Sequence, residues 1–150
     1  MAEDTEGIRA TARRTLEEIF PSADVAALAE VVDPDVVNHE AAPGAPRGFE
    51  GIKQTMLWLA AAFSDRRYEI HQVIVEGDTV ALHCTFSGRH TGAFMGLAPT
   101  NRPFAVRQVH IVRFREGKGV ESWAVRDDLG LMRQLGVLSG QPDRPVPADA

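Results

Sequence analysis

The spacing of apolar residues changes once along this chain, and that change limits what it can fold into. Up to about residue 63 apolar side chains recur every three or four positions, and from Tyr68 to Asp127 they alternate. Helices therefore come first and strands second, an α+β order in which the helices pack on one face of a strongly curved antiparallel sheet. Ile8, Ala12, Leu16, Ile19 and Phe20 give a first helix over 5–20, with acidic residues at its start. Pro21-Ser22 breaks it, and Ser22 is placed to cap a short second helix carrying Val25, Leu28, Val31 and Val32, which Asp33-Pro34 ends. Residues 35–51, with Pro43, Pro46, Gly44 and Gly48, read as a functional loop containing Asn38-His39. A third helix over 48–63 sets Ile52, Met56, Leu59 and Phe63 on one stripe, with Trp58 beside it, and that stripe must cover the sheet.

In the strand region Tyr68, Ile70, Gln72 and Ile74 alternate with Glu69, His71, Val73 and Val75. The next strand sends Val80, Leu82, Cys84 and Phe86 to one face and Ala81, His83, Thr85 and Ser87 to the other. A long loop over 88–102 carries Phe94 and Met95, two apolar side chains able to cover an opening, while His71 and His90 read as surface residues. Strands over 103–115 and 118–127 flank Glu116-Gly117. If those two are the central turn residues, 115 pairs with 118 and His110 faces Trp123. Gln108 and His110 then share a face with Val106, Val112 and Phe114, and with Glu121, Trp123, Val125 and Asp127 opposite. A purely structural inner face would omit the polar members, because each buried polar group needs a partner. Polar groups mixed into an apolar concave face describe a small-molecule site. Asp127 has a second reading, as the cap of a last helix that starts with Asp128 and ends near Gly136.

Composition narrows the chemistry. The 150 residues are enough for one well-buried domain, expected over 1–138, with the proline-rich stretch 139–150 as a flexible tail. A net charge of -5 offers no basic field for nucleic acid. No apolar run is long enough to span a membrane and the start is acidic, so a cytoplasmic setting is expected. Cys84 stands alone, which removes an internal disulfide, and is expected to be a buried apolar residue. Histidines 39, 71, 83, 90 and 110 show no metal-ligand spacing, and no phosphate-binding glycine motif occurs. What remains is acid–base chemistry by side chains in a pocket, with His110 as the group suited to work near neutral pH.

From Asp33 to Leu138 the chain resembles the SnoaL-like polyketide cyclases, or ester cyclases, of the nuclear-transport-factor-2-like (NTF2-like) superfamily. The motifs are Val37-Asn38-His39 with Gly48-x-x-Gly51-Ile52-Lys53, Ala61-Ala62-Phe63-Ser64-Asp65, Gly77-Asp78-x-Val80-Ala81 and Ser87-Gly88-Arg89-His90-Thr91-Gly92. They continue through Pro99-Thr100, His110-Ile111-x-Arg113-Phe114 and Glu121-x-Trp123-x-x-x-Asp127-x-Leu129-Gly130-Leu131 to Gln134-Leu135-Gly136. The resemblance implies a cone-shaped, cystatin-like fold around a hydrophobic cavity and cofactor-independent ring closure of a polyketide-like molecule. In the family's aldol cyclases the acid/base aspartate directly follows the tryptophan corresponding to Trp123; this chain has Ala124 there. Asp127 is then the acid/base that the resemblance implies, with His110 and Gln108 polarising a carbonyl. Asn38 or His39 would orient substrate, and Trp123, Glu121, Phe63, Phe94 and Met95 would line its site. Relatives on the fold also catalyse hydroxylation, epoxide opening and isomerisation, or only bind a ligand, and fold does not choose among these. An epoxide hydrolase would use Asp127 or Asp128 with Arg126 and a water. Apolar Val73, Val75, Val109 and Ile111 on the outer sheet face predict a back-to-back homodimer, which the resemblance also implies.

Overall fold

The computed structural model describes residues 3–41 and 43–138; the expected tail at 139–150 lies outside the described residues. Asp4 caps helix α1 (Thr5–Arg14), its carboxylate accepting from the Gly7 N–H at 3.1 Å. The rod continues through a π-helical turn, Thr15–Ile19, into α2 (Phe20–Ser22). Pro21 gives the physical reason: it has no N–H to donate and its ring crowds the carbonyl four residues back. In the widened turn the Phe20 N–H reaches back five residues to the Thr15 carbonyl. Asp24, not Ser22, then caps α3 (Val25–Val31), accepting from Ala27 N–H at 3.1 Å, while the Ser22 hydroxyl donates back to Ile19.

Strand β1 (Val32–Asn38) occupies the first part of the expected loop. It runs parallel to β5 at the edge of the sheet, a place that tolerates Pro34, so the sheet is not wholly antiparallel. Helix α4 (Phe49–Ala62) leads into β2 (Phe63–Glu76), β3 (Thr79–His90), β4 (Pro103–Arg115), β5 (Lys118–Arg126) and α5 (Asp128–Gln134). One sheet results, ordered β1-β5-β4-β3-β2. Ile8, Ala12 and Leu16 of the first rod pack with Leu82, Phe86, Val106 and Phe114 of its inner face. Ile19, Leu28, Val31, Val36 and Met56 form a second cluster where α3, α4 and β1 meet. The expected α+β architecture, one curved sheet covered by helices, is the one the chain adopts. No helix among the described residues is long and apolar enough to cross a membrane.

Two bulges alter which residues face inward. On β2 an irregularity between Ile70 and Gln72 inserts His71, so that Tyr68 and Ile70 point inward, but so do Val73 and Val75. Gln72 and Ile74 therefore turn outward, and the outer-face positions expected for Val73 and Val75 are corrected. The β4–β5 turn begins as expected, with Arg115 opposite Lys118 and Phe114 opposite Gly119. Val120 is then an extra residue, after which Arg113 pairs with Glu121, Ile111 with Trp123, His110 with Ala124 and Gln108 with Arg126. His110 does not face Trp123, because one added residue exchanges the faces of the rest of β5. Ser122, Ala124 and Arg126 share the inner face with Val112, His110 and Gln108, whereas Glu121, Trp123 and Val125 share the outer one.

Candidate active site

Between the concave face of the sheet and the helices lies a cavity of about 360 Å³. That is enough for a small organic molecule. Its wall is mostly apolar, with Leu16, Phe20, Leu59, Leu82, Phe86 and Val112 from both layers. At one side Trp58 of α4 lies flat on Phe94 of the loop before β4, ring centroids 4.8 Å apart. Phe94 thus covers the cavity as expected, while Met95, at 69% exposure with a left-handed φ of 50°, points away from it. Phe63 is 1% exposed and does not line the cavity; its ring packs behind it, between Phe94, Phe104, Phe86 and His90.

Gln108 and His110 stand two apart on the inner face of β4, and both line the cavity. The His110 Nε2 lies 2.7 Å from Gln108 Oε1. With the amide in that orientation Nε2 carries the hydrogen and donates it, which leaves Nδ1 with a free lone pair. Burial, followed by the nearby Arg126 guanidinium, pulls the His110 pKa down to about 3, so the ring is neutral at physiological pH. Across β3 the Tyr68 ring meets His110 edge-on at 6.1 Å, which shows how far the sheet's curvature brings β2 over β4. Burial raises the Tyr68 pKa, keeping its hydroxyl protonated, and no described side chain hydrogen-bonds that hydroxyl. Burial likewise pushes the Cys84 thiol up to about 12, which makes it an inert core residue, as expected. Asn38 completes the wall: its Oδ1 accepts from the Glu40 N–H at 3.0 Å and faces the Ser122 hydroxyl at 3.4 Å, so its amide NH₂ remains available.

The other expected residues lie elsewhere. His39 stacks on the Trp123 indole, centroids 4.9 Å and planes 7° apart, and its Nε2 sits 2.6 Å from Glu121. Arg113 holds the other Glu121 oxygen at 3.0 Å, and the His39 and Arg113 contacts keep that carboxyl below its usual range. Trp123 reaches the cavity boundary, but His39 and Glu121 do not, and the cluster belongs to the outer side of β1, β4 and β5. Asp127 is absent from the cavity wall. It caps α5, with its Oδ1 accepting from Gly130 N–H at 2.8 Å. His90, expected at the surface, is fully buried, its Nδ1 accepting from Thr100 N–H at 3.1 Å.

The capping geometry makes a definite prediction. Asp127→Ala should cost about 0.5–2 kcal/mol, while Asp127→Asn, an equally good cap, should lose only a few tenths. Urea unfolding checks both, and turnover should survive in the Asn variant; its loss would return Asp127 to the chemistry.

Sequence reasoning missed Tyr68, Trp58 and Ser122 as wall residues. Tyr68 was readable as the lone tyrosine on an inward strand position, whereas Ser122 depends on the Val120 bulge, which leaves no local signal. Among the described residues no group of three or more His, Cys, Asp or Glu is clustered to hold a metal.

The family model for SnoaL-like polyketide cyclase matches residues 10–135. A nogalonic acid methyl ester cyclase of Streptomyces nogalater is 33% identical over 109 residues, 71% of this chain and 81% of the relative. An aklanonic acid methyl ester cyclase of Streptomyces peucetius is 30% identical over 127 residues, 82% of this chain and 87% of the relative. Among solved structures, TsrD from Streptomyces laurentii superposes with a TM-score of 0.82 at 28% identity, covering 91% of this chain and 99% of its own. By the family match and these likenesses, this chain belongs to the SnoaL-like polyketide cyclase family, an enzyme of that type.

Proposed function

We propose that this chain closes a ring in a polyketide-like substrate by cofactor-free acid–base catalysis. The observation that carries the reading is the neutral His110, held by Gln108 in the wall of an apolar cavity. By its likeness to enzymes named for nogalonic and aklanonic acid methyl esters, a polyketide acid methyl ester is the substrate class. His110 Nδ1 takes a proton from a carbon next to carbonyls. The electron pair left behind forms the new C–C bond to a second carbonyl carbon, whose π pair moves to its oxygen, and the imidazolium returns the proton there. Gln108 fixes the imidazole tautomer, and the Asn38 NH₂ donates to a substrate oxygen. No atom is gained or lost. Incubating the purified protein with linear polyketide methyl esters and no added cofactor should give product of unchanged mass and changed retention time. A gain of about 18 mass units would replace ring closure by hydration, and binding without change would leave only a ligand-holding module.

We further propose that the protein works as a homodimer through the outer face of its sheet. Ile74, Val109 and Val125 are exposed there at 56%, 36% and 75%, next to Ile111, and a monomer would leave this apolar strip in water. Sedimentation at micromolar concentration should show twice the 16.4 kDa chain mass. A monomer would remove the proposal.

A further inference from the structure

Arg126 ends β5 on the inner face, directly across from Gln108 and next in that row to the His110–Ala124 pair. Arg126 lines the cavity while remaining exposed to solvent, and among the described residues it makes no ion pair and no hydrogen bond. The position beside it that could have supplied a carboxylate is Ala124, a methyl group. Tyr68, 6% exposed, also lines the cavity with a hydroxyl that no described side chain engages. An exposed cation and a buried tyrosine, both lining one cavity and neither engaged by a described side chain, therefore leave their donors free for a ligand. Two carboxylates, Glu40 and Asp128, border the same cavity, but both are exposed and neither reaches Arg126.

We propose that Arg126 and Tyr68 together form an oxyanion-binding pair that selects substrates carrying a delocalised oxyanion on an apolar frame. The anion is either the ionised enol of a 1,3-dicarbonyl or a carboxylate, and both present two oxygens to a planar guanidinium. The proposal rests on the ring-closure reading of this cavity and deepens it: an enolate held by Arg126 and Tyr68 is the species that forms when His110 takes its proton. The low pKa of His110 agrees with a cation facing the same space.

The test is binding, independent of turnover. Three naphthyl probes of equal size, a 1,3-diketone above its pKa, a carboxylate and a neutral carboxamide, are titrated while the fluorescence of Trp58 and Trp123 is followed. The wild type should bind at least one anion roughly tenfold or more tighter than the amide, as expected for a charge-assisted bond. The tighter anion identifies the source of the oxyanion. Arg126→Met should abolish the preference and leave amide affinity unchanged, and Tyr68→Phe should reduce it. Ala124→Asp, which sets a carboxylate beside Arg126, should reverse it. Equal affinity for all three probes, or a preference that survives Arg126→Met, overturns the proposal. Anion preference in a protein that turns over no ester would instead sink the ring-closure reading and leave the oxyanion pair standing.

Discussion

His110→Gln is expected to lower kcat/KM about 10²- to 10⁴-fold while leaving the protein folded, the range a positioned general base contributes. Glutamine keeps a polar group within reach of Gln108 but has no lone-pair nitrogen to take a proton. Ala124 opposite leaves no carboxylate in that row to substitute. The pH profile provides the second half of the test. With a folded pKa of about 3, His110 remains an unprotonated base well below 6.5, so kcat/KM should stay level through the range where an ordinary histidine limb would fall. A limb near 6.5 that disappears in His110→Gln would mean the ring is solvated. The sign for stability runs the other way. The unfolded imidazole takes up its proton first, so the wild type loses stability as pH falls from about 6.5 toward 3. Glu121, with its pKa held down by His39 and Arg113, adds a loss that sets in as pH falls through the ordinary carboxylate range, where the unfolded chain takes up the proton first. Between pH 6.5 and 5 the difference in unfolding free energy between wild type and His110→Gln should therefore shrink in favour of the variant as pH falls. A constant difference would count against a desolvated His110.

The α+β order was legible because it depends on periodicity, and periodicity survives small errors. Which side chains meet was legible only where the strand carries its own pattern. Gln108 and His110 lie two apart on β4, which the irregularities leave intact around them, so their common face follows from alternation alone. Their partners on β5 do not, because the turn at Glu116-Gly117 was read correctly and Val120 then added one residue. That single residue moved Glu121 and Trp123 outward and brought Ser122, Ala124 and Arg126 in. His71 did the same to Val73 and Val75 on β2. A bulge costs little where the strand can twist, and it needs no glycine or proline, so nothing in the composition announces it. Strand β1 was lost for another reason: Asp33-Pro34 does stop α3, but at a sheet edge the same proline permits a strand to begin. Asp127 shows the limit of residue type as evidence, since one carboxylate before a short helix suits both a cap and an acid, and only the Gly130 hydrogen bond decides its position.

Phe63→Ala is expected to cost about 3–5 kcal/mol of stability, the range for a fully buried phenylalanine. The residue ends the apolar stripe of α4 in sequence, where a ligand-contact role is reasonable, yet it is the first residue of β2 and is 1% exposed. Its ring centroid lies 4.7 Å from Phe104 and 4.9 Å from Phe94, so truncation removes contacts on both sides at once. Phe86 and His90 complete the surround, and His90 is fixed by Thr100, so the site has little freedom to collapse into the space. At roughly 2–4 °C per kcal/mol for a chain of this size, Tm should fall by roughly 6–20 °C. Phe63→Leu, which retains most of the volume, should cost much less. A side chain lining the cavity would behave differently, with unfolding changed by under about 1 kcal/mol and KM carrying the effect. Phe94 links the two possibilities, because it packs on Phe63 with one face and on Trp58 at the cavity with another. Phe63→Ala should therefore also weaken substrate binding, but only through the loosened Phe94, and Phe63→Leu should restore affinity and stability together. Recovery of stability without recovery of KM would place Phe63 in contact with substrate after all.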